Sequence, residues 1–74
     1  MTTVNIQNTI VNINSIDYME KDVKIYPEFS TPTPVLILQI KGKLKIFKFF
    51  GENKYEKLDN MYNKIYQLMK TDKE

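Results

Sequence analysis

Residues 35–50, VLILQIKGKLKIFKFF, constrain the fold of this chain more than any other stretch. They read as a β-hairpin whose two-residue turn is Lys41-Gly42 or Gly42-Lys43, because glycine adopts the positive φ such turns require. Either turn pairs the strands with the same parity. One face then carries Leu36, Leu38, Ile40, Phe47 and Phe49, with Lys43 and Lys45 near the turn. The other carries Val35, Ile37, Leu44 and Ile46, diluted by Gln39 and Lys48. Successive side chains on a strand point to opposite faces, so a sheet wetted on one side alternates apolar and polar residues. These strands do not alternate. Each face needs a cover, from a wrapping N-terminal segment, from self-association or from a partner.

The rest of the chain offers one convincing helix. Asn53 is placed as its N-cap, with Glu56 in the capping-box position. Over 53–70, Tyr55, Leu58, Met61, Tyr62, Ile65, Leu68 and Met69 recur at three- and four-residue spacing and form one apolar stripe. Residues 71–74 are expected to fray. Residues 2–14 are rich in β-branched side chains and predict a strand interrupted near Gln7-Asn8, followed by a turn at Asn14-Ser15. Residues 16–26 predict either one bulged strand or two short ones. Ile16 and Tyr18 share one parity and Met19, Val23 and Ile25 the other, and a fault near 20–22 repairs the phase. Residues 27–34, PEFSTPTP, form a loop, since three prolines withhold ladder hydrogen bonds. Phe29 is its expected anchor onto the core.

The expected architecture is α+β: one domain over 1–74, with a small antiparallel sheet of three to four strands and one C-terminal α-helix packed on one face. The N-terminal strands and Pro-rich loop span 1–33, the apolar hairpin 34–50 and the amphipathic helix 53–70. A chain of 74 residues buries only roughly 60–65% of the surface its unfolded form exposes, so outside support is valuable. With no Cys and no His in the chain, disulfides are excluded and a zinc site is disfavoured. Oligomerisation or a partner is left, in agreement with the two-faced hairpin.

Net charge is +2, too small to announce a polyanion binder by itself. Its distribution is uneven: residues 41–50 hold four Lys and no acid, whereas residues 51–74 hold five of each. Lys41, Lys43, Lys45 and Lys48, interleaved with Phe47 and Phe49, present phosphate-binding amines beside stacking rings if the rings are exposed. If Phe47 and Phe49 are core, the lysines serve to protect a strand edge. Asp17, Glu20, Asp22 and Glu28 follow no calcium-loop spacing and read as a solvated turn. Among the five tyrosines, Tyr66 lies at the margin of the helical stripe and is the best candidate for a partner contact.

Catalytic equipment is missing. There is no His, Cys or Arg, Ser15 and Ser30 have no candidate base nearby in sequence, and the two glycines form no phosphate-binding loop. No cofactor, metal or small-molecule substrate is indicated. The first ten residues predict no secretory signal, and the longest apolar run falls far short of the about 20 residues a membrane span needs. A cytoplasmic protein, in a bacterial cytosol or a phage-infected host, is expected. The sequence points to a non-enzymatic protein acting through protein–protein contacts, as a homodimer or bound to something larger. The expected interface is Val35, Leu36, Ile37 and Leu38 of whichever hairpin face is free, together with Tyr66. The small size and the bias toward Ile, Lys, Asn and Tyr suit a phage or mobile-element accessory protein, such as a regulator or an inhibitor of a host defence enzyme. The alternatives are a nucleic-acid-binding protein using Lys41, Lys43, Lys45 and Lys48, and a structural subunit of a larger assembly.

Overall fold

A computed structural model describes residues 2–72 and has an α+β architecture. Strands β1 (Thr3–Ile6) and β2 (Thr9–Asn12) form a two-stranded antiparallel hairpin. A 3-10 turn, Ile13–Ser15, leads into a three-stranded antiparallel sheet of β3 (Ile16–Lys24), β4 (Thr33–Ile40) and β5 (Lys43–Lys48), in that spatial order. Helix α1 (Lys54–Asp72) follows the sheet. It extends slightly past the expected end at residue 70; the fraying expected of 71–74 falls partly outside the described residues.

The β4–β5 hairpin folds with the parity its sequence dictates. Leu36 faces Phe47, Ile37 faces Ile46 and Ile40 faces Lys43, so Lys41-Gly42 is the turn. Their φ values of 50° and 81° are those of a type I′ turn, whose twist matches that of the strands. The interruption at Gln7-Asn8 is a second such turn, with φ of 49° and 69° and Ile6 opposite Thr9, so β1 and β2 are a hairpin and not one broken strand.

Three local expectations are corrected. The irregularity in β3 lies between Ile16 and Tyr18, at Asp17, and not near 20–22. Ile16 pairs with Ile40 while Tyr18 pairs with Gln39, so the bulge sends Ile16 into the core and Tyr18 to the other face. Asn53 precedes the helix and its carbonyl accepts the Lys57 N–H at 2.8 Å, but its φ of 61° is not the extended geometry of a capping residue. The chain reverses sharply there, through Gly51 at φ 89° and then Asn53. Phe29 is outside the core; its ring meets Tyr26 and Phe50 edge-on, at 5.7 and 5.1 Å between centres.

The core lies on one face of the sheet. Leu36, Leu38, Phe47 and Phe49 meet Leu58 and Ile65 of α1 and Val4, Ile6, Val11 and Ile13 of the N-terminal segment in one buried cluster. Met61, Tyr62, Leu68 and Met69 pack around it. The N-terminal hairpin therefore adds to the layer that the helix begins, and both covers sit on the same side.

Candidate interaction surface

What the covers leave free is the outer face of the sheet. There β3 contributes Tyr18, Glu20 and Asp22, β4 contributes Val35, Ile37 and Gln39, and β5 contributes Leu44, Ile46 and Lys48. One end of this face is roofed by the segment after β3. The Lys48 amine lies 4.5 Å from the Tyr26 ring centre and 5.9 Å from that of Phe29, and Val35, opposite Lys48, is fully buried. Toward the Lys41-Gly42 turn the roof is absent. Leu44 is 65%, Tyr18 52% and Ile46 41% exposed, grouped around Ile37, which its neighbours on the two flanking strands leave only 6% exposed. A contiguous apolar patch of this kind, on a small soluble domain, marks a contact surface more often than a chance exposure.

The residues singled out from sequence separate accordingly. Leu36 and Leu38 are fully buried under the helix and cannot reach a partner without unfolding. Val35 and Ile37 face the outer side, Val35 under the roofed end and Ile37 in the open one. Tyr66 is half exposed, but it stands on α1, across the sheet from Ile37. The structure does not join Tyr66 to the patch. Tyr18, Leu44 and Ile46 complete the patch; the parity of Leu44 and Ile46 with Ile37 was legible, whereas Tyr18 was hidden by the misplaced bulge.

Charge is distributed by edge. The two ion pairs among the described residues both involve β3: Lys21 with Asp59 of α1 at 3.0 Å, and Lys24 with Asp22 at 3.9 Å. The Lys21 amine also lies 4.8 Å from the Tyr62 ring centre. On the β5 side, Lys41, Lys43, Lys45, Lys57 and Lys64 have no ion-pair partner among the described residues. Phe47 and Phe49 are buried and offer these amines no stacking platform; Phe50, beside Lys57 and Lys64, is half exposed.

An open groove of about 570 Å³ lies between the Gln7 turn, the end of β5 and α1, with Phe49, Phe50 and Met61 as its apolar walls and Lys57, Asn60 and Lys64 along the helix. It holds amines and amides but no acid or hydroxyl. Asp17, one of the four acids considered above, accepts the Gly42 N–H at 3.1 Å and so ties the β3 bulge to the β4–β5 turn. Among the described residues no group of three His, Cys, Asp or Glu side chains is placed to hold a metal ion, and no helix is long and apolar enough to cross a membrane.

No protein-family model, no curated protein and no solved structure matches this chain.

Proposed function

We propose that this chain is a non-enzymatic binding protein that acts through protein–protein contact, using the outer face of its sheet. The observation that carries this reading is the patch of Tyr18, Leu44 and Ile46, exposed around the buried Ile37 while the helix and the N-terminal hairpin double up on the opposite face. A chain this small stays marginally stable, and covering a second apolar face contributes stability as well as recognition. A second copy of the chain or a protein partner covers it. The size and composition suit an accessory role in a phage or mobile element, as a regulator or an inhibitor of a host enzyme, in a cytoplasmic setting.

The mass in solution tests the first form of this reading. If a second copy covers the face, size-exclusion chromatography with light scattering shows a dimer that Leu44→Glu and Ile46→Glu each convert to a folded monomer. A dimer indifferent to both variants would remove the outer face from the contact. A wild-type monomer would assign the face to a different protein, to be sought by affinity capture with the same two variants as controls.

Nucleic-acid binding is the second reading, supported by the unpaired lysines of the β5 side. With Phe47 and Phe49 buried, phosphate contacts carry most of it, and such binding weakens steeply with salt, by roughly 0.7–0.9 log units per contact per log unit of salt. A salt slope that Lys43→Gln with Lys45→Gln leaves unchanged would remove these two residues from the site.

A further inference from the structure

We infer that the free edge of β5 is a docking rail for an extended segment of a different protein, one that sets acidic side chains opposite Lys43 and Lys45 and apolar ones beside Leu44 and Ile46. This inference rests on the protein-binding reading above and names the mode of binding and the chemistry of the partner.

The hydrogen-bond phase of the hairpin carries the argument. Phe49 donates its N–H to the Pro34 carbonyl at 3.0 Å. Bonded and non-bonded pairs alternate along an antiparallel ladder, so Lys43, Lys45 and Phe47 turn their backbone groups to β4, and Leu44, Ile46 and Lys48 turn theirs outward. The Gln7 amide confirms the phase by donating to the Lys48 carbonyl at 2.6 Å from outside the sheet. β5 has no second neighbouring strand. Leu44 and Ile46 are thus left with outward N–H and C=O groups on a segment whose first four residues are all exposed. Unpaired edges accept added strands, and edge lysines, which repel a strand of like charge, leave the edge open to one that carries acidic side chains.

The opposite edge is closed by comparison. By the same alternation, Met19, Lys21 and Val23 turn outward on β3. The Val23 N–H is taken by the Asp22 carboxylate at 2.7 Å, Lys21 is held by Asp59, and the bulge at Asp17 bends the strand.

Charge then selects the occupant. Relative to a strand added outside β5, Lys43 and Lys45 occupy non-bonded positions, where facing side chains come closest. A second copy fits poorly. Pairing Leu44 with its own counterpart sets Lys43 against Lys45, and pairing Leu44 with Ile46 sets Lys45 against Lys45. Like charges directly opposite each other destabilise a sheet. Pairing Ile46 with its counterpart brings Leu44 against Lys48, whose carbonyl Gln7 already occupies. Acidic residues at the same positions pair with both free amines.

The test uses the full chain, labelled for NMR, with two short synthetic peptides: one alternating Glu with Val, the other alternating Lys with Val. The Glu–Val peptide is expected to shift the Leu44 and Ile46 amides and slow their exchange, and the Lys–Val peptide to do neither. Exchanging both lysines, Lys43→Glu with Lys45→Glu, is expected to reverse that preference. Ile46→Pro removes an outward N–H that β4 does not use, and is expected to weaken the Glu–Val peptide by about tenfold. No binding, equal response to the two peptides, or protection at Met19, Lys21 and Val23 instead would overturn the inference. Tyr18→Glu separates it from the reading it rests on, because Tyr18 lies on the outer face away from β5. If Tyr18→Glu abolishes protein contact while the lysine exchange changes nothing, the face is the interface and the edge is not.

Discussion

The two faces of the β3–β4–β5 sheet begin from similar material and end differently. Leu36 and Leu38 on one side and Val35 and Ile37 on the other are neighbours on a single strand, all nearly or wholly buried. Yet the first pair lies beneath a helix and a hairpin, and the second lies beneath a short aromatic turn at one end and nothing at the other. The reason is economy of layers. A helix or a sheet buries its apolar side against one other layer, and a chain this short completes only one such interface. Ile13 of the 3-10 turn joins the cluster of Leu58 and Ile65, so the N-terminal segment finds its partner surface where the helix already is. Apolar composition alone does not bring a cover to the second face; both covers share one core.

The largest effects should come from the covered face. Leu38→Ala and Ile65→Ala, at fully buried positions, are each expected to cost about 2–5 kcal/mol, a large share of the roughly 5 kcal/mol a small domain has at the low end. Urea or thermal denaturation measures this. Ile46→Ala on the open face is expected to stay within roughly 0.5 kcal/mol at low protein concentration. A concentration-dependent loss at Ile46 would show that a second copy covers that face, while an equally large loss in a monomer would break the comparison.

A carboxylate sharpens the same contrast. Leu36→Asp buries a charge in the core cluster and is expected to abolish cooperative unfolding, since an unpaired buried charge is not tolerated there. Ile37→Asp is expected to stay folded with a lowered melting temperature. A carboxylate at 37 has no covering layer above it and reaches water past its half-exposed neighbour Ile46, although Glu20 stands directly across from it on β3 and adds repulsion. Circular dichroism melts of the two variants decide the matter. Equal collapse of both would mean that the outer face behaves as a second core.

The helix was legible because its three- and four-residue apolar spacing is strong, and the β4–β5 hairpin because its two apolar runs flank a turn that carries a glycine. The two faces of the hairpin were also legible, residue for residue. Which face the helix takes was not, since both parities are apolar and neither is marked as inner; Leu36 and Leu38 therefore stood beside Val35 and Ile37 as interface candidates. The β1–β2 hairpin was hidden for a different reason. Its turn uses Gln7 and Asn8 at positive φ, without the glycine that usually announces such a turn. The Asp17 bulge was misplaced because strand periodicity shows that a phase changes without showing where. The backbone edge of β5 is a still finer property: it depends on hydrogen-bond phase, which Lys43 to Lys48 do not spell out.

Turn chemistry gives a smaller and more local effect. Gly42 sits at φ 81° with open space where a Cβ would stand, so Gly42→Ala meets no clash and reports backbone strain alone. It is expected to cost about 1–2 kcal/mol, the penalty for an L-residue in the left-handed region. The neighbouring Lys41, at φ 50°, already bears such a penalty. Lys41→Asn is expected to raise the melting temperature slightly, because Asn tolerates that region better. A loss at Lys41→Asn would mean that its amine, unpaired among the described residues, has an electrostatic role in the fold.

The smallest effect concerns the clamp on the β3 edge. Lys21 and Asp59 are 42% and 57% exposed at their side chains, and exposed pairs contribute about 0.2–1 kcal/mol, less in salt. Lys21 also faces the Tyr62 ring at 4.8 Å, an exposed cation–π contact of about 0.5–1 kcal/mol. Removing Lys21 therefore loses two interactions and removing Asp59 only one. A double-mutant cycle of Lys21→Met with Asp59→Asn, repeated in high salt, isolates the ion pair from the ring contact. The expected coupling is below about 1 kcal/mol and is reduced by salt. A larger, salt-independent coupling would mean that the helix holds β3 more tightly than its exposure indicates. The difference between a clamped β3 edge and a free β5 edge would then be an energetic property of the sheet as well as a geometric one.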